Sequence, residues 1–266
     1  MIEEGLLLPM NVLLQGQKLT LLDPEMWFLR GNENKDVTLV ITIGNNHQKL
    51  MVVEDILLLI DRSQIEVTAG KVIYHPLRID ILSKLLAFID ESTGSVEREH
   101  HELFADALPF ASEVVLFSKV ASEAWFLATY LSSDNINEIL FQHLRKTECY
   151  KLVRYLLSQS LIQTSLYDLG ELYGVSYSHF RRLCSYALGG KVKTELCGWR
   201  VARAVLEIIE GNSDMTTIAH KYGYSSSSHF SAEVKSRLGK TPRELCKSYE
   251  NKITHYYYIN FSLMHF

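Results

Sequence analysis

Short apolar runs separated by turn-forming residues dominate the first 75 residues. The runs are Leu19–Leu22, Val37–Ile43, Leu50–Val53, Ile56–Ile60 and Ile65–Thr68. Between them, Asn45-Asn46, Asp61-Arg62-Ser63 and Ala69-Gly70 supply turn chemistry. Several short strands at this spacing predict a small β barrel or sandwich.

From Pro76 the apolar positions follow a helical period instead. The residues that would share one helix face are Ile79, Leu82, Leu85, Leu86 and Ile89. This helix should end near residues 91–94, followed by a polar loop over 94–102. Helical periodicity resumes from Phe104 to Leu144, with an interruption at 131–135. We therefore expect an N-terminal regulatory or interaction domain, residues 1–147, that is β-rich to about residue 75 and helical after it.

One pattern occurs twice beyond a boundary near Arg145–Glu148. Each copy has a small residue, a glycine four positions later, a nearby serine and then a His-Phe pair. The copies are Gly170-x3-Gly174-Val175-Ser176 with His179-Phe180, and Ala219-x3-Gly223-Tyr224-Ser225 with His229-Phe230. Two helices that cross at a short turn need a small residue at the contact, and a turn glycine accepts positive φ. A single copy fits any helical hairpin, but two copies with basic second helices favour two tandem helix-turn-helix motifs that bind DNA.

The same stretch predicts the caps and the core of each motif. Ser165 with Asp168, and Asp214 in the second copy, are expected to begin helices. The predicted core residues are Leu166, Leu169, Leu172, Val175, Phe180 and Leu183 in the first motif, and Ile218, Tyr222, Tyr224, Phe230, Val234 and Leu238 in the second.

Apolar residues also recur at helical spacing between the copies. They are Leu196, Trp199, Ala202, Val205, Leu206 and Ile209. Roughly 15 residues make a linker helix of about 22 Å, which could place both recognition helices in successive major-groove segments from one chain. The predicted fold class is thus α+β: a β-rich then helical N-terminal domain, an all-α domain over 148–249, and a tail over 250–266.

The formal net charge of −4 conceals an uneven distribution. Residues 149–250 carry 14 Lys and Arg against 9 Asp and Glu, a net charge of +5, whereas residues 1–148 carry 12 against 22, a net charge of −10. This segregation is typical of an acidic domain joined to one that meets a polyanion. A net charge of this size also occurs on domains that bind no nucleic acid. The prediction of DNA binding therefore rests on the repeated helix-turn-helix pattern rather than on charge.

Composition and motifs narrow the remaining function classes. No apolar run approaches the ~20 residues of a membrane span, and Met1–Glu4 is acidic where a secretory signal would be basic, so we expect a cytoplasmic protein. Cys149, Cys184, Cys197 and Cys246 show no Cys-x-x-Cys pairing, which favours free thiols. Nucleophile-elbow, phosphate-loop and paired-carboxylate motifs are missing from the sequence, so we expect no catalytic residues, no cofactor and no enzyme activity.

Two histidine patterns could suggest a metal site. The stretch Glu99-His100-His101-Glu102 lacks a second His at helical spacing, so an exposed loop is the better interpretation. His47 and His75 are the only histidines in the β-rich part, which argues against a His-rich metal cupin. We therefore expect no bound metal.

The C-terminal motifs resemble a known family. The stretch from Gly223 to Phe230 and on through Leu238-Gly239-Lys240-Thr241-Pro242 resembles the signature of the AraC/XylS family of transcription regulators. Gly189-Gly190 and Trp199-Arg200-x2-Arg203-Ala204 also match that family. The resemblance covers about 100 residues, and it implies a sequence-specific regulator whose partners are promoter DNA and RNA polymerase.

Two further stretches resemble a narrower group. They are Pro76-Leu77 through Asp90 and Tyr173 through Ser185, and the group is the InvF-type activators of type III secretion genes. This resemblance implies an activator of secretion and virulence genes that works with a secretion chaperone as coactivator. A small-molecule-responsive one-component AraC/XylS regulator, with an effector bound in the β barrel, is the alternative.

The resemblance also implies which side chains of the first motif meet DNA. The first recognition helix, about Tyr177–Ala187, would expose Ser178, Arg181 and Arg182 at positions where the family reads bases. Arginine suits guanine because its planar fork donates two hydrogen bonds to O6 and N7. His179, like His229 in the second motif, is interpreted as a packing residue or a phosphate contact rather than a metal ligand.

The second recognition helix, about Ser227–Leu238, offers shorter side chains. Ser227, Ser228 and Ser231 are its candidate readers, and Lys235 lies nearer the DNA backbone. Ala232 stands where family members often have a long polar residue, so this helix is expected mainly to add phosphate affinity. Other candidate phosphate contacts are Lys191, Lys193, Arg200 and Arg243.

Overall fold

The chain forms two compact units that divide between Arg154 and Tyr155. The computed structural model describes residues 9–31, 37–94, 105–109, 118–132, 135–159, 165–209, 211 and 214–248. Residues 95–102, which include the Glu-His-His-Glu stretch, and the tail 250–266 lie outside the described residues.

The first unit begins with β-strands and continues with helices. The strands are β1 Asn11–Leu14, β2 Lys18–Thr20, β3 Glu25–Leu29, β4 Val37–Ile43, β5 Asn46–Val52, β6 Ile56–Ile60, β7 Gln64–Ala69, β8 Lys71–Pro76 and β9 Ala105–Pro109. The helices are α1 Ile79–Thr93, α2 Lys119–Leu131, α3 Asn135–Lys146 and α4 Glu148–Gln159.

The second unit is helical throughout its described residues. Its helices are α5 Leu166–Tyr173, α6 Tyr177–Leu188, α7 Val192–Ile209, α8 Met215–Lys221, α9 Ser227–Leu238 and α10, residues 242–248. Helix α4 contributes to both units, because its residues from Tyr155 onward belong to the second.

The strands pair into two antiparallel sheets. One has the order β1-β8-β3-β6-β9 and the other β2-β7-β4-β5. Side chains from both sheets meet in one apolar core, in which fully buried Trp27 stacks on Tyr74 with 4.1 Å between ring centroids. Alternating side chains of two facing sheets build such a core. The predicted β sandwich is confirmed.

The prediction that 104–144 is helical is wrong at its start. Ala105–Pro109 is strand β9, which pairs antiparallel with β6 from Ile60↔Ala105 to Ile56↔Pro109. All five residues of β6 are buried, so its outer backbone groups need hydrogen-bond partners. Long-range pairing therefore outweighs the local helical period. Strands β1, β3 and β8 were also not predicted from the sequence.

Helix α1 has the predicted extent but a different buried face. It ends at Gly94, which has a φ of 65°, and Leu82 and Leu86 are buried as expected. The buried face, however, also carries the polar residues Asp80, Ser83 and Asp90, while Ile79, Leu85 and Ile89 are only half-buried. The predicted apolar face is thus correct only in part.

The buried carboxylate of Asp90 joins three helices of the first unit. It accepts hydrogen bonds from Arg145 Nε (2.8 Å) and Nη2 (3.0 Å) on α3, and from the Tyr150 hydroxyl (2.7 Å) on α4. Burial alone would lower the pKa of Arg145, but its bonds and charge attraction to Asp90 and Glu138 raise that pKa overall. Burial is the first cause that raises the pKa of Tyr150 to about 12, and the hydrogen bond to Asp90 and the negative charge of that carboxylate add to it. A bidentate pair of this kind fixes the geometry of its helices as well as its charge.

Two further structural findings concern the described residues. Within them, no helix has both the length and the apolar character needed to cross a membrane. In the same ranges, no three His, Cys, Asp or Glu side chains group so as to hold a metal ion.

Candidate nucleic-acid interface

Helices α5 and α6 form the first predicted motif, and both begin at serine caps. The Ser165 hydroxyl accepts from the Asp168 amide (3.1 Å) and donates to the Asp168 carboxylate (2.6 Å), as the predicted capping pair requires. Helix α5 ends at Gly174, which has a φ of 83°. Ser176 then caps α6 by accepting from the His179 amide at 3.4 Å.

The two helices touch at Gly170. A Cβ added there would lie 3.2 Å from Cβ of Phe180 and 3.3 Å from its Cγ, which is tighter than an ordinary contact. Phe180 is fully buried and has ring neighbours in Tyr155 and Tyr173, so it has little freedom to move away. The steric reason predicted for a small residue at position 170 is confirmed.

Helices α8 and α9 repeat this arrangement with one added residue. The Tyr224 amide donates to the Ala219 carbonyl (2.9 Å) just as the Val175 amide donates to the Gly170 carbonyl (3.1 Å). The cap of α9 is Ser226, three residues after Gly223, whereas Ser176 follows its glycine by two. The sequence pattern matched Ser225 to Ser176, and that match is wrong. The predicted Asp214 cap of α8 is present, and its pKa is lowered chiefly by hydrogen bonds from Thr217.

The predicted cores are correct except at their edges. Phe180, Phe230, Ile218 and Val234 are fully buried. Leu172 and Leu238, in contrast, are 69 % and 50 % exposed, so their assignment to the core is wrong. Residues that the pattern did not select fill the space instead: Cys184, Ala187 and Leu188 in α6, and Val201 and Ala204 in α7.

Helix α7 is the predicted linker helix, and it is longer than expected. Its 18 residues span roughly 27 Å at the usual rise per residue. Trp199 and Val205 are buried as predicted, but Ala202 and Leu206 are exposed. The buried stripe runs instead through Val201, Ala204 and Val205, because these residues pack against the core of the second motif.

Polar contacts fasten α7 to α8. Glu207 accepts from Lys221 Nζ (2.7 Å) and from the Tyr222 hydroxyl (2.9 Å), and the Lys221 bond is the main reason for its lowered pKa. These contacts fix one end of the second motif against the linker.

A second set of polar contacts fastens α7 to α9. The Cys197 thiol donates to Glu233 at 3.2 Å, and Arg237 Nε donates to the same carboxylate oxygen at 2.5 Å. The Arg237 bond is the first cause of the lowered pKa of Glu233, while burial and the Glu233 bond raise the pKa of Cys197. Cys197 is therefore a neutral donor at neutral pH and contributes to structure.

The outward face of α6 carries the predicted readers. Ser178, Arg181 and Arg182 are all exposed, and 178 and 182 follow each other at the spacing of one helical turn. Ser185 continues the same face and is exposed, although the sequence analysis did not include it. Its position three residues after Arg182 was the signal that could have identified it. This surface, residues 178, 181, 182 and 185, is called the α6 outward face below.

The corresponding face of α9 carries shorter side chains at two of its three positions. Ser228, Ala232 and Lys235 are exposed at helical spacing. Ser227 and Ser231 are half-buried and therefore less accessible than residues that read bases should be. The Ser231 hydroxyl contacts the sulfur of Met215 at 3.6 Å. Residues 228, 232 and 235 form the α9 outward face.

The two histidines that precede the core phenylalanines differ in their surroundings. His179 is exposed on α6. His229 is also exposed, but its Nδ1 lies 3.3 Å from the Ser225 hydroxyl and its ring meets Tyr224 edge-on at 5.5 Å. The added residue of the second turn, Ser225, thus helps to orient His229.

An exposed cation follows each recognition helix at a matching position. Lys193 and Arg243 are the second residues of α7 and α10, the helices that follow α6 and α9, and both are exposed. Lys191 is exposed as well, whereas Arg200 is half-buried. Positive charges beside the end of an inserted helix suit the phosphates that border the groove.

Two exposed recognition helices, each preceded by a short helix and a tight turn, are the arrangement that places an α-helix in the major groove of DNA. The fold therefore defines a DNA-binding protein with two helix-turn-helix motifs in one chain.

Comparison with known proteins assigns the family. Residues 169–248 match the model of a helix-turn-helix domain family. The invasion protein InvF of Salmonella typhi is 42 % identical over 206 residues, which cover 76 % of this chain and 94 % of InvF. The transcriptional regulator MxiE of Shigella flexneri is 38 % identical over 180 residues, 65 % of this chain and 84 % of MxiE. Among solved structures, ToxT of Vibrio cholerae aligns over 90 % of this chain and 97 % of its own, with 14 % identity and a TM-score of 0.35. The chain belongs to the AraC/XylS family of transcription regulators, in the group of InvF-type proteins.

Proposed function

We propose that this regulator activates type III secretion and virulence genes, reads its promoter mainly with α6, and anchors itself with α9. The similarity to InvF and MxiE supports the target genes, and the difference between the two outward faces carries the division between reading and anchoring helices. The α6 face presents two arginines, whereas the α9 face presents Ala232 at the position matching Arg182 and a serine at the position matching Ser178. The planar fork of arginine can make a bidentate contact to a base edge, whereas a serine hydroxyl or an alanine methyl group cannot.

The proposed contact residues divide into two groups. Ser178, Arg181 and Arg182 contact base edges. The phosphate and minor contacts are His179, Lys191, Lys193, Arg200, Ser227, Ser228, Ser231, Lys235 and Arg243. Most of this second group is exposed around the two recognition helices, which supports the assignment. Arg200, Ser227 and Ser231 contribute less, because all three are half-buried.

The first unit is proposed to receive the activating signal from a secretion chaperone, which acts as coactivator with RNA polymerase. The similarity to InvF over most of both chains supports this assignment, since it extends well beyond the helix-turn-helix motifs. In this proposal residues 1–147 form the regulatory domain, 148–249 the DNA-binding domain and 250–266 a tail.

In vitro transcription tests the coactivator. The template carries the promoter of a secretion operon that neighbours the gene, with purified RNA polymerase and the full-length regulator. Three arms compare the regulator alone, with the secretion chaperone, and with a low-molecular-weight cell extract. The proposal expects transcripts only in the chaperone arm. Activation by the regulator alone would remove the coactivator, and activation by the extract would favour a small effector.

Footprinting on the same promoter tests the division of labour. The proposal expects protection of two major-groove segments, with base-specific protection concentrated in the segment that α6 occupies. Equal base specificity in both segments would contradict the assignment of α9 as an anchor.

A further inference from the structure

Three exposed side chains of the first motif lie against one another outside its core. The rings of Tyr167 and Tyr177 lie 6.1 Å apart between centroids, at 43°. The guanidinium carbon of Arg181 lies 5.7 Å from the centroid of the Tyr177 ring. Tyr167 is 56 % exposed and Tyr177 is 42 % exposed, so neither ring serves mainly to fill the core.

The helical geometry explains why the three side chains meet. Tyr177 is the first residue of α6, and Arg181 follows four residues later on the same side of the helix. Tyr167 is the second residue of α5, and the close contact of Gly170 with Phe180 brings the two helices together. The aromatic pair thus spans both helices of the motif and ends on an arginine of the α6 outward face.

The second motif has no counterpart of this trio. The matching positions are Thr216 in α8 and Ser227 and Ser231 in α9. None of these residues carries a ring or a charge, although caps, turns and core phenylalanines repeat in both motifs. The trio therefore belongs to what distinguishes α6 from α9 rather than to the fold that the motifs share.

We propose that Tyr177, supported by Tyr167, is a positioning residue for Arg181. A free arginine side chain occupies many rotamers and must lose them when it binds. A ring face attracts the guanidinium by a cation–π interaction and leaves the in-plane N–H donors open. Tyr177 thereby holds Arg181 extended along the outer face of α6, ready for bidentate contact with DNA. This inference rests on the proposed role of α6 as the reading helix.

The test is a double-mutant cycle on the full-length protein, with promoter affinity as the readout. Tyr177→Leu removes the ring but keeps an apolar side chain, and Tyr177→Phe keeps the ring but removes the hydroxyl. We expect Tyr177→Leu to weaken promoter binding about two- to five-fold, whereas Tyr177→Phe should retain the wild-type affinity. In the Arg181→Ala background, Tyr177→Leu should cause no further loss, because the residue that it positions is gone.

Three outcomes would overturn the inference. Loss in Tyr177→Phe equal to that in Tyr177→Leu would mean that the hydroxyl itself contacts DNA. Additive losses in the double variant would mean that the tyrosine acts independently of Arg181. Unchanged promoter affinity in Arg181→Ala would also overturn the inference. If Arg182→Ala still weakens promoter binding in that case, the proposed reading role of α6 stands although the role of Tyr177 does not. Loss in neither arginine variant would defeat the proposed function itself. Circular dichroism of each variant verifies that the exposed substitutions leave the fold intact.

Discussion

Arg181 and Arg182 are neighbours in sequence but leave α6 in directions about 100° apart, as the helical turn requires. Arg181 is held over the Tyr177 ring, whereas Arg182 lies one turn after Ser178 and points along the middle of the outward face. A residue at the middle of such a face penetrates deepest into a groove. Arg182 is therefore the stronger candidate for contact with a base edge.

The variant Arg182→Ala should cost about 1–3 kcal/mol of binding free energy on the cognate promoter and relax specificity at one base pair. The measurement is binding to promoter fragments that carry each single base substitution, compared with random DNA. Arg62→Ala is the matched control, since Arg62 is an exposed arginine of the first unit. Equal loss on promoter and random DNA would show that Arg182 contacts only phosphate.

Gly170 leaves little room for a larger residue in the first motif. The variant Gly170→Val would add branched carbons against Phe180, whose Cβ lies 3.2 Å from the position of the first added atom. We expect a loss of about 1–3 kcal/mol in unfolding free energy, because overpacking a closed core forces its neighbours apart. Urea unfolding measures the change. Leu172→Ala is the control, since Leu172 is exposed on the same helix and should change stability little.

Helices α6 and α9 share length, serine cap and glycine end but present different chemistry to solvent. The α9 outward face has one cation, Lys235, beside Ser228 and Ala232. A lysine on a phosphate adds affinity that is independent of sequence and weakens with salt. Removing the cation of α9 should therefore change the salt dependence of binding rather than its base preference.

The variant Lys235→Ala should weaken binding to promoter and random DNA to a similar degree. It should also reduce the slope of log affinity against log salt by about one, because one phosphate contact is lost. Titrations at several salt concentrations give the slope for Lys235→Ala and Arg182→Ala side by side. A selective loss on the promoter in Lys235→Ala would contradict its role as an anchor.

The hydrogen bonds of Asp90 to Arg145 and Tyr150 link three helices of the first unit, so the loss of this carboxylate should destabilise the unit. The variant Asp90→Asn would take from Arg145, whose side chain is only 11 % exposed, its buried charged partner and leave only the more exposed Glu138. Breaking a buried pair in this way costs about 3–5 kcal/mol. Urea unfolding should show this loss. Glu138→Gln is the matched control: its carboxylate binds the same arginine but is 38 % exposed, so its loss should cost less than about 1 kcal/mol. Equal losses in both variants would contradict the importance assigned to burial.

The two units differ in how far their sequences determine their structures by local signals alone. The recognition helices of the second unit were predicted to within one residue, α6 as about Tyr177–Ala187 and α9 as about Ser227–Leu238, because caps, turn glycines and small contact residues act over a few positions. The first unit depends on partners distant in sequence: Asp90 bonds Arg145 55 positions away, and β9 pairs with β6. Local periodicity carries no information about such pairs.

The exposed residues of the DNA-binding interface could be predicted from the sequence, but the contacts between its helices could not. The family resemblance placed Ser178, Arg181 and Arg182 on an exposed face of α6, and all three side chains are exposed. It could not reveal that Ser231 contacts Met215 of the neighbouring helix. This contact depends on how α8 and α9 pack, which the angle of a residue around its own helix does not determine. The extra residue of the second turn, in contrast, is visible in the sequence, because His179 follows Gly174 by five positions whereas His229 follows Gly223 by six.

His143 makes the stability of the chain depend on pH. The imidazole is buried, and its Nε2 donates to the Glu25 carbonyl at 3.0 Å. Burial lowers its pKa from 6.5 to about 4, against the opposing influence of the Glu25 bond and Asp61, while nearby Lys146 lowers it further. Because the folded-state pKa is below the unfolded value, the stabilisation is complete above pH 6.5. It is lost progressively as pH falls towards 4, with a total on the order of 3 kcal/mol.

The variant His143→Gln should remove this component of the pH dependence, because an amide can donate to the Glu25 carbonyl without titrating. We expect the wild type to lose about 2 kcal/mol between pH 7.5 and 5.0, and the variant to lose correspondingly less. A Trp199→Phe background confines tryptophan fluorescence to Trp27 and Trp125 of the first unit. Urea unfolding in that background then reports the unit that contains His143. Parallel curves for the wild type and His143→Gln would show that other groups govern the acid response.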